Sequence, residues 1–117
     1  MHEIGLVREV LRTVSDFAEK NNVEKVDEIV LEVGELSLVI PEYLEEIYPK
    51  VVAKDEQFRD TKLILEIVPG LAICEDCDCV FNVTKEEGIC PDCGSQNKTV
   101  YSGKECVIKE IHVHEEQ

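Results

Sequence analysis

The sequence predicts an α+β fold: two helices on a three-stranded sheet, with a four-cysteine module inserted between the second and third strands. Three observations predict it. Apolar residues recur at helical spacing in two stretches and alternate with period two in three others. Cys74-Glu75-Asp76-Cys77 and Cys90-Pro91-Asp92-Cys93-Gly94 form two CxxC pairs with twelve residues between them. The third alternating stretch follows the cysteines, so the module interrupts one parent domain rather than ending it.

Taken in order, Ile4, Val7, Val10, Leu11, Val14, Phe17 and Ala18 predict an amphipathic helix over residues 4–20. Glu3 suits its first turn, where the helix dipole favours a carboxylate, and Asn21-Asn22 can end it. Residues 26–33 predict a half-exposed strand, with Ile29, Leu31 and Val33 on one face and Glu28, Val30 and Glu32 on the other. Gly34 closes it. Pro41 fits the first position of a second helix, whose stripe is Leu44, Ile47, Tyr48, Val51 and Val52. Pro49 falls inside that stripe and is expected to kink or split the helix.

Residues 55–62 read as a polar loop. Leu63 to Val68 predicts a second strand, apolar at Leu63, Leu65 and Ile67. Pro69-Gly70 breaks it and opens the cysteine module, which runs to Ser102-Gly103. Val107, Ile111 and Val113, alternating with Ile108, Glu110 and His112, predict the third strand. The expected division is residues 1–70 plus 104–117 as the α/β domain and residues 71–103 as the cysteine domain.

The chain has 117 residues and a net charge of −14, from 26 acidic and 12 basic side chains. That balance argues against a phosphate-backbone or anionic-membrane partner, each of which needs a basic footprint. No apolar run reaches transmembrane length, and Met1-His2-Glu3 opens no secretory leader. Six cysteines in such a chain point to the reducing cytoplasm and to metal binding.

The cysteine spacing reads as a structural zinc(II) site of the ribbon kind. Four thiolates close a tetrahedron and leave no open position for a reaction. A redox dithiol or a disulfide pair fits two spaced CxxC motifs less well. Gly94 stands where a tight turn needs positive φ. Cys79 and Cys106 are left over and read as packed thiols, either of which could be redox-active.

Met1-His2 is the second place with chemistry. The α-amine, the His2 backbone nitrogen and the His2 imidazole can form fused chelate rings. Three nitrogens then occupy three corners of a square, which suits nickel(II) or copper(II). Glu3 can add its amide or carboxylate. His112 and His114 share a strand face and read as solvent-facing.

These two ends combine in a resemblance. Met1-His2-Glu3-Ile4, Leu31-Glu32-Val33-Gly34-Glu35-Leu36-Ser37, Pro41-Glu42, the two cysteine pairs with Gly94-Ser95, and Ser102-Gly103-Lys104-Glu105 occur in one order along nearly the whole chain. In this the sequence resembles the HypA family of nickel-insertion accessory proteins for nickel-iron hydrogenases, with the related HybF proteins. The resemblance implies a metallochaperone rather than an enzyme. It implies a nickel-binding α/β domain and a structural zinc domain held by Cys74, Cys77, Cys90 and Cys93. Nickel would be bound by Met1, His2 and Glu3, chiefly His2, and passed toward the hydrogenase large subunit beside a HypB-type GTPase. In some organisms such proteins also serve urease maturation. A further carboxylate ligand that some members use before the second helix has no counterpart here, since the loop reads Leu38-Val39-Ile40 with no acid before Glu42.

Overall fold

A computed structural model describes residues 3–113. Eight elements follow one another: α1 (Glu3–Lys20), β1 (Val26–Gly34), α2 (Pro41–Val52), β2 (Lys62–Val68), β3 (Leu71–Cys74), β4 (Val80–Asn82), β5 (Lys98–Val100) and β6 (Cys106–Val113). They build two three-stranded sheets, ordered β2-β1-β6 and β4-β3-β5. The α+β architecture with an inserted four-cysteine module is thus present. Contacts divide the chain into two compact units. One holds the chain up to Leu31, Ile40–Glu66 and the chain from Val107 onward; the other holds Glu32–Val39 and Ile67–Cys106.

In the first unit, α1 buries Val7, Val10, Leu11, Val14 and Ala18, the stripe its spacing dictates. Ile4 and Phe17, at the margins of that stripe, are 45% and 39% exposed. Side chains from α1 (Val7, Val10), α2 (Leu44, Tyr48), β1 (Leu31) and β2 (Leu63) converge on one small apolar space. Both helices therefore cover the same sheet face. The central strand differs from its expectation. Val30 is buried along with Ile29, Leu31 and Val33, so β1 is enclosed on both faces at its middle rather than half exposed. Burial on a face depends on what covers that face, which the alternation of β1 does not specify.

Helix α2 is also unlike its expectation, for it is continuous through Pro49. The proline lies in the last turn, so only the bond that the Glu45 carbonyl would have accepted is forfeited. Burial of Leu44, Ile47, Tyr48 and Val52 holds the rest. The polar stretch after α2 carries a hidden anchor: Phe58 is buried. Asp55 caps its turn, accepting from the Gln57 and Phe58 amides at 2.9 and 3.3 Å. Thr61 then donates to the Val26 carbonyl (2.6 Å), while its own carbonyl accepts from the Tyr48 hydroxyl (2.8 Å). Burial, aided by the Asp55 charge, pushes the Tyr48 phenol up to about 12.

The alternation of β6 slips by one residue. Cys106, Ile108, Ile111 and Val113 are the half-buried positions, and Lys109 and Glu110 are both exposed. Val107 is thus 42% exposed, whereas Ile111 is half-buried.

Candidate metal centre

The four cysteines of the two CxxC pairs meet at one point. Each pair sits on the same backbone turn, used twice. In the first, the Asp78 amide donates to the Cys74 carbonyl (2.9 Å) and the Cys74 amide to the Cys79 carbonyl (2.8 Å). In the second, Gly94 donates to Cys90 and Cys90 to Ser95, both at 2.9 Å. The residue after the second cysteine turns left-handed in each, Asp78 at φ 62° and Gly94 at φ 75°. Glycine meets that demand without strain, and aspartate is among the few side chains that tolerate it. Gly94 is the part of this pattern visible in the sequence. The sequence marks Asp78 only by its place four residues after Cys74, matching Gly94 after Cys90.

The repeat carries into burial: Cys74 and Cys90 are buried, Cys77 and Cys93 exposed. All four Sγ atoms lie within 4.8 Å of one another. Cys74 and Cys93 are 3.6 Å apart and Cys77 and Cys90 3.5 Å. A tetrahedron with metal–sulfur bonds of about 2.3 Å has edges of roughly 3.8 Å, so the cluster fits a zinc-sized ion. A disulfide would need about 2.05 Å between sulfurs; all six cysteines, whose identities include Cys79 and Cys106, are free thiols.

Electrostatics favour a cation there. Burial works to raise the Cys90 thiol, but the Cys93 and Asp92 amides and the neighbouring thiols outweigh it and bring it down to about 6. The Cys79 amide favours the Cys77 thiolate, yet crowding by Cys90, Cys93 and Cys74 drives that thiol above its ordinary range. One thiolate forms readily; further ones repel it unless a positive ion intervenes.

Residues outside the ligand set brace the turns. Asp76 accepts from the Ser95 hydroxyl and, at 3.4 Å, from Asn97, while Glu75 accepts from Thr99 at 3.0 Å. Beneath them Ala72, Cys74, Phe81 and Cys90 form a small core, against which Cys79, Val83 and Val100 pack. Lys98 ties the long loop, donating to the Gly88 and Gln96 carbonyls at 3.0 and 3.2 Å.

The other expected site residues are distributed as follows. Glu3 opens α1 and is half-buried. Met1, His2 and His114 lie outside the described residues. His112 lies exposed between two carboxylates, Glu28 at 3.1 Å from Nδ1 and Glu110 at 2.7 Å from Nε2. Cys106 is half-buried at the start of β6, and burial pushes its thiol up. No helix among the described residues is long and apolar enough to cross a membrane.

Comparison with known proteins places this centre in a lineage. Residues 1–113 match the family described as hydrogenase/urease nickel incorporation, metallochaperone, hypA. A hydrogenase maturation factor HypA from a Nostoc species is 35% identical over 115 residues, covering 98% of this chain and 97% of the relative. A maturation factor HybF from Proteus vulgaris is 34% identical, covering 97% of this chain and 99% of the relative. The solution structure of the nickel metallochaperone HypA from Helicobacter pylori shares the fold, with a TM-score of 0.69 at 23% identity over 99% of this chain and 100% of that one. The chain belongs to the HypA family of nickel metallochaperones, proteins of hydrogenase maturation and not enzymes.

Proposed function

We propose that this chain binds nickel at its N-terminus and delivers it to a nickel-iron hydrogenase, with zinc resident at Cys74, Cys77, Cys90 and Cys93. The family match that begins at residue 1 supports this reading most directly. His2 is the principal nickel ligand, joined by the Met1 amine and by Glu3. The Met1 amine, the His2 backbone nitrogen and the His2 imidazole take three corners of a square, and Glu3 is the weaker donor at the fourth, which a recipient's ligand displaces. Acidic surface, from a net charge of −14, favours approach of the cation.

Zinc, when bound, supplies a fixed charge that holds four thiolates together and has no exchangeable position. The function divides accordingly between a nickel-binding part, residues 1–70 plus 104–117, and a zinc-binding part, residues 71–103. The recipient is the hydrogenase large subunit, the partner in transfer a HypB-type GTPase, and urease maturation proteins a second destination where urease is made. The place of action is the cytoplasm.

Nickel titration of untagged protein, followed by calorimetry and optical spectrum, tests this reading. One nickel per chain is expected, lost in His2→Ala with zinc content and thermal midpoint unchanged. Full nickel binding by His2→Ala would overturn it.

A further inference from the structure

Three side chains of the sheet β2-β1-β6 form a constellation that neither metal site uses. Glu110 and His112 are two residues apart on β6, so both leave the same face of the strand. His112 Nε2 is 2.7 Å from a Glu110 oxygen. Its Nδ1 is 3.1 Å from an oxygen of Glu28, on the neighbouring strand β1. The side chains of His112, Glu110 and Glu28 are 45%, 51% and 34% exposed, so water reaches the group from outside.

The two carboxylates have different places. An imidazole that ligates a metal offers one bare nitrogen, while the other keeps its proton and gives it to an acceptor. A carboxylate as that acceptor fixes the tautomer and the ring orientation and makes the bare nitrogen more basic. Glu28 stands in that place at Nδ1. Glu110 stands where a second donor belongs, at Nε2. Two donors bound at about 2.1 Å and at right angles lie roughly 3.0 Å apart. A turn of the exposed Glu110 side chain about its own bonds therefore converts the contact with Nε2 into a chelate. The neighbouring Lys109, whose charge also acts on Glu110, is itself engaged by Glu66 at 2.8 Å. One lysine is thus set against three carboxylates, and the balance favours a cation.

We propose that His112 and Glu110 form an exchangeable site for a divalent cation of the nickel, zinc or copper class, with Glu28 as the positioning residue that holds the imidazole in its ligating tautomer. Imidazole selects these metals over magnesium or calcium. Water completes the coordination. A metal ion and the proton that joins Nε2 to Glu110 compete for the same two atoms. On binding, that proton leaves to solvent, and the neutral ring keeps its Nδ1 proton on Glu28. With two protein donors the site is weaker than a three-nitrogen chelate and fills only in excess metal. It is independent of the proposed terminal site, since Met1, His2 and Glu3 take no part.

The test adds nickel(II) alone to the full zinc-loaded chain carrying His2→Ala, at pH 8. Ring resonances of His112 are followed by NMR and affinity by calorimetry. Excess nickel should shift or broaden the His112 ring signals, and magnesium at the same concentration should leave them unmoved. Affinity should fall at least tenfold on adding His112→Gln or Glu110→Ala, whose fold is checked by the amide spectrum. Glu28→Ala should weaken binding about tenfold, and Glu28→Gln, whose amide oxygen still accepts from Nδ1, should restore part of it. An unmoved His112 ring at millimolar nickel would overturn the proposal. So would equal affinity in the His112→Gln variant, or a loss produced by His114→Gln in its place. Every comparison is made in a chain that already lacks His2, so the outcome does not depend on whether the terminus binds nickel.

Discussion

The backbone of Gly34 lies directly against that of Gly103. The Leu36 amide donates to the Gly103 carbonyl at 2.7 Å, and the Gly34 amide to Glu105 at 2.9 Å. A Cβ on Gly34 would collide with that same Gly103 carbonyl and come within 2.8 Å of the Glu105 oxygen. Both obstacles are backbone atoms, which cannot rotate away. Gly34→Ala should therefore cost about 3 kcal/mol, as overpacking against an unyielding neighbour does. Denaturant unfolding monitored at amides of residues 67–106 checks this. A loss under about 0.5 kcal/mol would mean that the strands separate easily.

Beside that contact, Glu35 accepts from the Gly70 amide and from the Asn82 side chain, both at 2.9 Å. The Gly70 bond first, then Asn82, hold its carboxyl below the ordinary range. A lowered folded pKa means stability that is present above the unfolded value, about 4.3, and is lost as pH falls through the folded one. Glu35→Gln should melt lower than the parent at pH 7, and the two midpoints should converge in acid. A constant offset between pH 7 and pH 3 would deny the carboxylate its role.

His112 carries the opposite sign. Its bond to Glu110, then that to Glu28, raise its pKa above the ordinary 6.5. Both ring nitrogens face carboxylate acceptors, so both bonds are made together only by the protonated ring. The stability that this provides is full below the unfolded pKa and is lost as pH rises through the raised folded one. Ring-proton NMR should show His112 titrating above 6.5, and Glu110→Gln should bring it down. An unmoved midpoint in that variant would rule out the pairing.

At the metal centre, Cys74→Ser or Cys93→Ser should lose the bound zinc and disorder residues of about 71 to 103, since zinc binding and local folding are one free energy. Amides of α1 and α2 should keep their dispersion, because those helices bury their own apolar stripes. One full zinc equivalent in either variant would break the four-cysteine assignment.

The doubled turn makes its own prediction at Asp78. With φ at 62°, Asp78→Gly should be neutral to about 1 kcal/mol stabilising, whereas β-branched Asp78→Val should cost about 2 kcal/mol. Thermal midpoints and zinc competition against a chromophoric chelator compare them. Equal stability of the two variants would show that the turn does not hold the residue left-handed.

Local chemistry made much of this legible. Helical spacing gave the α1 stripe, because a helix repeats within a few residues and its burial follows that period. Two CxxC pairs announced a closed site, because thiolates at that spacing have few other stable arrangements, and the sulfurs do converge. Tertiary structure decided the rest. Whether Val30 is buried depends on what lies beyond its own strand, and whether Pro49 breaks α2 depends on the burial of the residues around it. Lys109 and His112 pair with carboxylates distant in sequence, Glu66 and Glu28, which the alternation of β6 does not announce. The contact of Gly34 with Gly103 joins segments nearly seventy residues apart, and it brings 32–39 into the unit of the cysteines. A sequence carries its short-range forces openly; the cost of a Cβ or the value of a carboxylate at such a crossing exists only once the chain has closed on itself.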